Sequence, residues 1–186
     1  MDTRAEIIRL GDSLIREKGY NAFSFTDISK QLNIKNASIH YHFPSKTDLG
    51  LAIVQEHLTR LEQLKLKTES IDPVDKLKAF LSIYSVANEE NKICLVGSLA
   101  TDYYTVEPKM QSELKKLADN ILKWVIEILK EGKNKNVFQF NSPERIKALM
   151  IITNMLAGVQ LTRLTNKEDL KEIKDTIIND LTQISQ

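Results

Sequence analysis

The 186-residue chain has a single cysteine, Cys94. One thiol excludes an internal disulfide framework and any cysteine-based zinc site. Glycine and proline are scarce, six and four in all, and most stand where helix ends are expected. No stretch alternates apolar and polar residues between turn signals as a strand would. No apolar run reaches the roughly 20 residues of a membrane-spanning helix, so no membrane partner is expected. The opening MDTRAEIIRLGDSL carries charge in every turn, unlike a secretory signal. A cytoplasmic location is the resulting expectation. Enzyme signatures are missing as well: there is no glycine-rich phosphate loop, no G-x-S-x-G and no H-E-x-x-H. His40 and His42 are two residues apart, so on one helix they point in different directions, and His57 is alone. No catalytic residue, metal or cofactor is expected.

What is present is 42% hydrophobic and 27% charged residues, an ordinary globular composition in a chain long enough to bury a core. Net charge is +1, from 26 basic and 25 acidic residues. That average hides a local excess. Between Asp27 and Asp48 there is no carboxylate, while Lys30, Lys35, Lys46, His40 and His42 all fall there.

The periodicity predicts nine helices and an all-α fold. The first runs from Thr3 to Lys18 on Ile7, Ile8, Leu10, Leu14 and Ile15, and Gly19 stops it. A short second helix starts at Ser24, which forms an S-x-x-D cap with Asp27. Asn33 then turns the chain through the left-handed conformation. A third helix covers Lys35–His42, anchored by Ile34 and Ile39. A long fourth runs from Lys46 to Lys67, capped by Ser45. Asp72-Pro73 opens the fifth as N-cap and first helical residue. A sixth spans Leu95–Tyr103. Pro108 opens a seventh that ends before Gly132. Ser142-Pro143 opens the eighth, running to Leu164, and Asn166 the ninth. Nine helices in this order suggest a small N-terminal three-helix unit, residues 1–45, and a larger helical bundle, residues 46–186.

Helix, tight turn, helix is the layout of a DNA-reading pair. With Ile28, Leu32, Ile34 and Ile39 turned inward, the third helix offers Lys35, Asn36, Ala37, Ser38, His40 and Tyr41 outward. Asparagine can read adenine with two hydrogen bonds, and lysine can read guanine or hold phosphate. Ala37 lets the backbone approach a base edge. Thr26, Tyr41, His42 and Lys46 suit phosphates. The pattern alone leaves a second reading open: a short helix pair with a few solvated lysines.

The run Phe25-Thr26-Asp27-Ile28-Ser29-Lys30-Gln31-Leu32-Asn33-Ile34-Lys35-Asn36-Ala37-Ser38-Ile39-His40-Tyr41-His42-Phe43-Pro44-Ser45-Lys46-Thr47-Asp48-Leu49 resembles the DNA-binding signature of the TetR/AcrR family of transcriptional regulators. Tyr41-His42-Phe43, followed by Lys46 and an acidic residue, is its most specific part. The resemblance covers about residues 4–50, and the length and helix order agree over the rest. It implies a homodimer on a palindromic operator, usually a repressor, released when a small molecule binds the C-terminal domain. It carries family DNA contacts onto Thr26, Lys35, Asn36, Ala37, Ser38, His40, Tyr41, His42 and Lys46. Three positions depart: Asn33 stands where glycine is frequent, Lys35 where serine or threonine is usual, and Asn36 where lysine or arginine is. These departures bear on which operator is read.

The last two helices carry the dimer expectation. Leu170, Ile173, Ile177, Leu181 and Ile184 form a narrow stripe at spacings of three or four, suited to helix-helix packing. The eighth helix is apolar nearly all round and needs burial on two sides. A four-helix interface built on Met155, Val159 and the ninth-helix stripe follows, with a purely intramolecular pair as the alternative. A ligand cavity would draw on Tyr84, Cys94, Tyr103, Tyr104, Trp124, Thr153, Asn154 and Gln160, polar and aromatic side chains among apolar ones; the alternative for each is the core. Ile93-Cys94-Leu95-Val96-Gly97-Ser98-Leu99 resembles the start of the sixth helix in an electrophile-sensing subgroup of the family. That implies an alternative in which Cys94 is an oxidant sensor, beside a plain reading as a small buried hydrophobe. A helical protein-interaction adaptor is the remaining alternative.

Overall fold

The computed structural model describes residues 2–182, and among them there are nine α-helices, two single 3-10 turns and no strand. The helices are α1 (Thr3–Lys18), α2 (Phe25–Leu32), α3 (Asn36–His42), α4 (Lys46–Lys67), α5 (Pro73–Glu89), α6 (Leu95–Thr101), α7 (Pro108–Asn134), α8 (Glu144–Leu161) and α9 (Glu168–Thr182). The 3-10 turns are Tyr20–Ala22 and Tyr103–Thr105. Ile184 of the expected ninth-helix stripe lies outside the described residues.

The helix ends follow local chemistry. Asp2 caps α1 by accepting from the Arg4 amide. Gly19 ends α1 at φ +100°, a conformation that favours glycine. Ser24 and Asp27 form the expected reciprocal cap on α2, and Ser45 and Asp48 do the same for α4. Asp72 accepts from the amides of Val74 and Asp75, with Pro73 as the first helical residue. Several expected ends shift: α6 stops at Thr101 instead of Tyr103 and α8 at Leu161 instead of Leu164, and one more has a packing cause. Gly132 does not stop α7, which continues to Asn134. The missing side chain serves packing: a Cβ built there would lie 1.9 Å from Cδ2 of Phe138. The ring of Phe138, 2% exposed, occupies that space.

The chain forms two compact units. The first takes the chain up to Arg60 together with Leu95–Leu117; the second takes Leu61–Cys94 and the chain from Ala118 onward. The division differs from one at residue 45, because the first part of α4, all of α6 and the start of α7 share the core of α1–α3. In that first unit α1 packs on α2, α3 and α6. Ile7, Leu14, Ile15, Ile28, Ile39, Phe43, Leu49, Ile53, Leu99 and Met110 are buried together. Polar ties join its segments. Ser98 Oγ, itself buried, donates to the Ile15 carbonyl (2.6 Å), and Thr47 Oγ1 donates to Glu107 (2.6 Å). Between α1 and α4, Asp12 accepts from His57 Nε2 (2.7 Å) and Arg16 (3.3 Å). Burial alone would raise the Asp12 carboxyl, but the hydrogen bond and charge of His57, with Arg16, outweigh it and hold the group below its ordinary value.

In the second unit α5, α8 and α9 pack on one another. Phe80 sits edge-on to both Tyr84 (5.6 Å) and Trp124 (5.9 Å), a favourable ring geometry. Ile151, Met155 and Val159 of α8 and Leu170, Ile177 and Leu181 of α9 are buried. Thr162, the buried hydroxyl after α8, donates to Asn88 of α5 (2.9 Å). Among the described residues no buried side-chain nitrogen or oxygen is left without a hydrogen bond.

Candidate nucleic-acid interface

The α2–α3 pair is held by what it buries. Phe25 and Ile28 of α2 and Ile39 of α3 face the core. Asn33 takes the left-handed conformation (φ 52°, ψ 45°), and its amide reaches back to the Lys30 and Ser29 carbonyls. Ile34 N–H then donates to the Ser29 carbonyl (3.0 Å), closing the turn. Lys35, extended, is the N-cap of α3 and not its first residue.

With Ile39 inward, the opposite face of α3 is free. Lys35, Asn36, Ala37, His40 and Tyr41 are exposed, Tyr41 at 84%, while Ser38 and His42 are half-buried. Thr26, in the first turn of α2, is exposed beside them. Asn36 Nδ2 donates to Thr26 Oγ1 (3.2 Å), so the two expected DNA-facing side chains orient each other across the turn. The His40 ring lies edge-on to Phe25 (4.9 Å), with Nδ1 3.3 Å from the Pro44 carbonyl. That engagement ties His40 to the pair's own framework. Tyr41 packs edge-on to His42 (5.1 Å).

Lys46 is placed differently from a free phosphate ligand. Its ammonium lies over the rings of Phe23 (4.2 Å) and Tyr20 (4.7 Å) and donates to the Phe23 carbonyl. Burial pushes its pKa down, and Asp102 and Asp27 pull it part of the way back. Spacing alone misses this, because Tyr20 and Phe23 belong to the turn before α2. Spacing gives no sign either of Arg4, whose guanidinium lies 5.2 Å from the centre of the Phe43 ring at the end of α3. Its distance in sequence from α3 left no signal to find it. The carboxylates nearest the reading face are spent on helix caps. Asp27 and Asp48 are each held below the ordinary carboxylate value, chiefly by their serine partners.

Residues 7–53 match the family described as bacterial regulatory proteins, tetR family. A TetR transcriptional regulator of Legionella pneumophila of known crystal structure is 33% identical. The alignment covers 97% of this chain and 98% of that one, with a TM-score of 0.86. This chain belongs to the TetR family of transcriptional regulators. Among relatives of known function, the biofilm operon negative transcriptional regulator IcaR of Staphylococcus aureus is 27% identical over 133 residues, 70% of this chain and 71% of that one. The transcriptional repressor DhaR of a Mycobacterium species is 20% identical over 182 residues, covering 96% of this chain and 91% of that one. The regulator is therefore a DNA-binding protein, and the α2–α3 pair lies within the matched residues.

The residues expected at the other two sites fall elsewhere. Met155, Val159, Leu170, Ile177 and Leu181 are buried within the single chain, where α8 meets α9 and α5. They are core, and among the described residues of that set only Ile173 keeps partial exposure. The outward face of α8 is the complementary one: Ile146, Met150 and Leu161 are about half exposed, and Leu164 beyond the helix is 86% exposed. An open groove of about 1160 Å³ runs between α8 and α9, with Asn154, Ala157, Leu161, Leu164, Ile173 and Thr176 among its lining.

The eight expected cavity residues do not converge. Tyr103 and Tyr104 belong to the first unit, and Tyr104 is 94% exposed. Thr153, Asn154 and Gln160 are exposed on α8, because they alternate with its buried positions at helical spacing. Tyr84 and Trp124 are core, and Cys94 is half-buried. Burial, with Cys94 close by, pushes the Tyr84 hydroxyl well above its ordinary value. Trp124 also borders a small cleft of about 250 Å³ between the end of α4, α5 and α7. Among the described residues no cluster suited to a metal ion and no helix long and apolar enough to cross a membrane is found.

Proposed function

We propose that the regulator is a homodimeric repressor that binds a palindromic operator and leaves it when a small molecule binds the second unit. The α2–α3 geometry carries the reading: two buried isoleucines fix the pair, and Lys35, Asn36, Ala37 and Tyr41 stand free on one face. Asn36 reads a base edge, Ala37 admits close approach, and Thr26, Lys35, Ser38, Tyr41 and His42 take phosphates. His40, though exposed, is braced by Phe25 and the Pro44 carbonyl, and Lys46 by the rings of Tyr20 and Phe23. Repression follows what the two relatives of known function are named for. A protein acting on bacterial DNA works in the cytoplasm.

The dimer rests on α8. Its outward apolar residues are more than a lone helix leaves in water, and the α8–α9 groove beside them is mostly apolar. A second copy seated there forms a four-helix interface and sets the two α3 helices roughly 34–36 Å apart, one turn of duplex. The ligand enters the second unit at the cleft beside Trp124, which widens to admit it; at about 250 Å³ it is smaller than an occupied pocket.

Fragments retained by the protein from a random-sequence pool supply the operator. A selected fragment should contain two inverted half-sites, and binding should fall steeply with salt while staying specific. Recovery of sequences with no shared element, or of a single unrepeated half-site, refutes the proposal.

A further inference from the structure

The geometry points to Asp102 as a positioning residue for DNA binding, acting through the turn that launches α2. Asp102 follows α6 and lies sixty residues or more beyond the reading pair in sequence. Its carboxylate nevertheless closes on the junction after α1. Oδ2 accepts the Tyr20 backbone N–H (2.9 Å), and Oδ1 accepts from Asn21 Nδ2 (2.9 Å). The same Asn21 amide donates its other hydrogen to Thr105 Oγ1 (2.8 Å). One carboxylate thus holds the backbone of one residue and the side chain of the next, which fixes both the place and the rotation of the Tyr20–Ala22 turn.

That turn decides where α2 starts. Gly19, at φ +100°, frees the chain from α1. Phe23, next after the turn, gives its carbonyl to Lys46, and Ser24 begins the α2 cap. The Asp102 charge also acts on Lys46, raising the pKa that burial lowers. A shift in the turn therefore reaches Thr26 in the first turn of α2, and through its bond to Asn36 the reading face of α3. Asp102 touches no DNA in this scheme. Ser98 bonded to Ile15 and Glu107 bonded to Thr47 brace the segment on either side of it, so the carboxylate pushes from a firm base.

A carboxylate is the group that fits. Two donors converge on two oxygens. An asparagine in its place keeps an acceptor for the Tyr20 N–H but turns an amide N–H₂ toward that of Asn21. Moving the carboxylate to the other partner mends the pair: in the double variant Asp102→Asn with Asn21→Asp, the new amide accepts from Tyr20 and donates to the new carboxylate. Net charge is then that of the parent.

The test measures affinity for a duplex selected by the parent protein from a random pool, at a temperature where circular dichroism shows every variant folded. Removing a negative charge should, by electrostatics alone, tighten binding to all DNA. Positioning gives the opposite sign. Asp102→Asn should bind the selected duplex about ten- to a hundredfold more weakly, as loss of a charged hydrogen bond implies. The double variant should recover most of that loss. Asn21→Ala, a change at an exposed side chain, should also weaken binding while leaving the melting temperature nearly unchanged. Without DNA, the Tyr20 amide should exchange faster in Asp102→Ala than in the parent. A folded Asp102→Asn protein that binds as tightly as the parent overturns the inference. So does a double variant no better than the single one, or a Tyr20 amide equally protected without the carboxylate.

Discussion

Replacing Lys46 by methionine separates two roles that one side chain can play in a DNA-binding protein. Methionine keeps the length and most of the volume over Tyr20 and Phe23 but removes the charge and the donor. Two ring contacts at 4.2 and 4.7 Å disappear, each worth about 0.5–1 kcal/mol where solvent still reaches the group. The bond to the Phe23 carbonyl disappears too, nominally about 1.5–3 kcal/mol for a charged donor. Partial exposure and the relieved cost of burying an ammonium reduce the sum, leaving a net loss of about 1–2 kcal/mol. In a chain of this size each kcal/mol moves the melting temperature by roughly 2–4 °C. The variant should therefore melt roughly 2–8 °C lower. The salt dependence of operator binding should hardly change, because the ammonium faces rings and a carbonyl. A lysine on phosphate behaves otherwise: its loss lowers the slope of log K against log salt by about 0.9 per contact. Calorimetry and a salt titration of the same samples decide the matter. An unchanged melting temperature with a slope reduced by about that amount per subunit refutes the reasoning and returns Lys46 to the DNA.

Asn36→Ala should flatten the base preference at one position of each half-site, by about 1–3 kcal/mol of discrimination, read from binding to a panel of single-base variants. A uniform loss across the panel contradicts base reading. Met150→Lys with Leu161→Glu, both on the outward face of α8, should leave the fold intact and shift sedimentation from dimer to monomer; a dimer at micromolar concentration removes that face from the interface. Gly132→Ala gains about 1 kcal/mol in helix propensity but drives a methyl into Phe138, at a cost of about 1–3 kcal/mol. Its melting temperature should fall, and one at or above the parent's contradicts the packing. Asp12 is held below its ordinary 3.8. Its stabilisation is therefore complete above about pH 4 and is lost as pH falls through the lower folded value. Asp12→Asn should be destabilised at pH 7, and the gap to the parent should close as pH drops below about 4; a constant gap sinks the assignment.

Local signals were legible in the sequence wherever one residue type has one structural use. Asn33 turned left-handed, Ser24 with Asp27 and Ser45 with Asp48 capped their helices, and Asp72-Pro73 opened α5. Gly132 was misread because glycine has two uses: it ends helices, and it also makes room for a ring. Only the position of Phe138, six residues on and folded back, distinguishes them. Sequence order places the segment after Cys94 in the bundle, because it follows the bundle's first helices, whereas it belongs to the first unit. Its bonds from Ser98, Asp102 and Glu107 run to residues sixty or more positions earlier, beyond the reach of any pattern.

The proposed dimer face shows what periodicity can and cannot decide. Spacing located the apolar positions of α8 and α9 correctly, and the two-sided character of α8 required two partners. It did not say which side met which partner. The chosen positions, Met155 and Val159 with Leu170, Ile177 and Leu181, are regular in spacing, and regular spacing serves an intramolecular helix pair as well as a subunit seam. Those residues fill the regulator's own core. The side left over, Ile146, Met150 and Leu161, is looser and mixed with Thr153, Asn154 and Gln160. A surface that must remain in water until a second copy arrives tolerates that mixture, because its polar groups stay hydrated in the monomer. The stripe of a two-sided helix that intramolecular packing leaves exposed is thus the better candidate for the subunit contact. The Met150 and Leu161 substitutions test that rule, since the corresponding charges at Met155 and Val159 would unfold the second unit before they revealed anything about assembly.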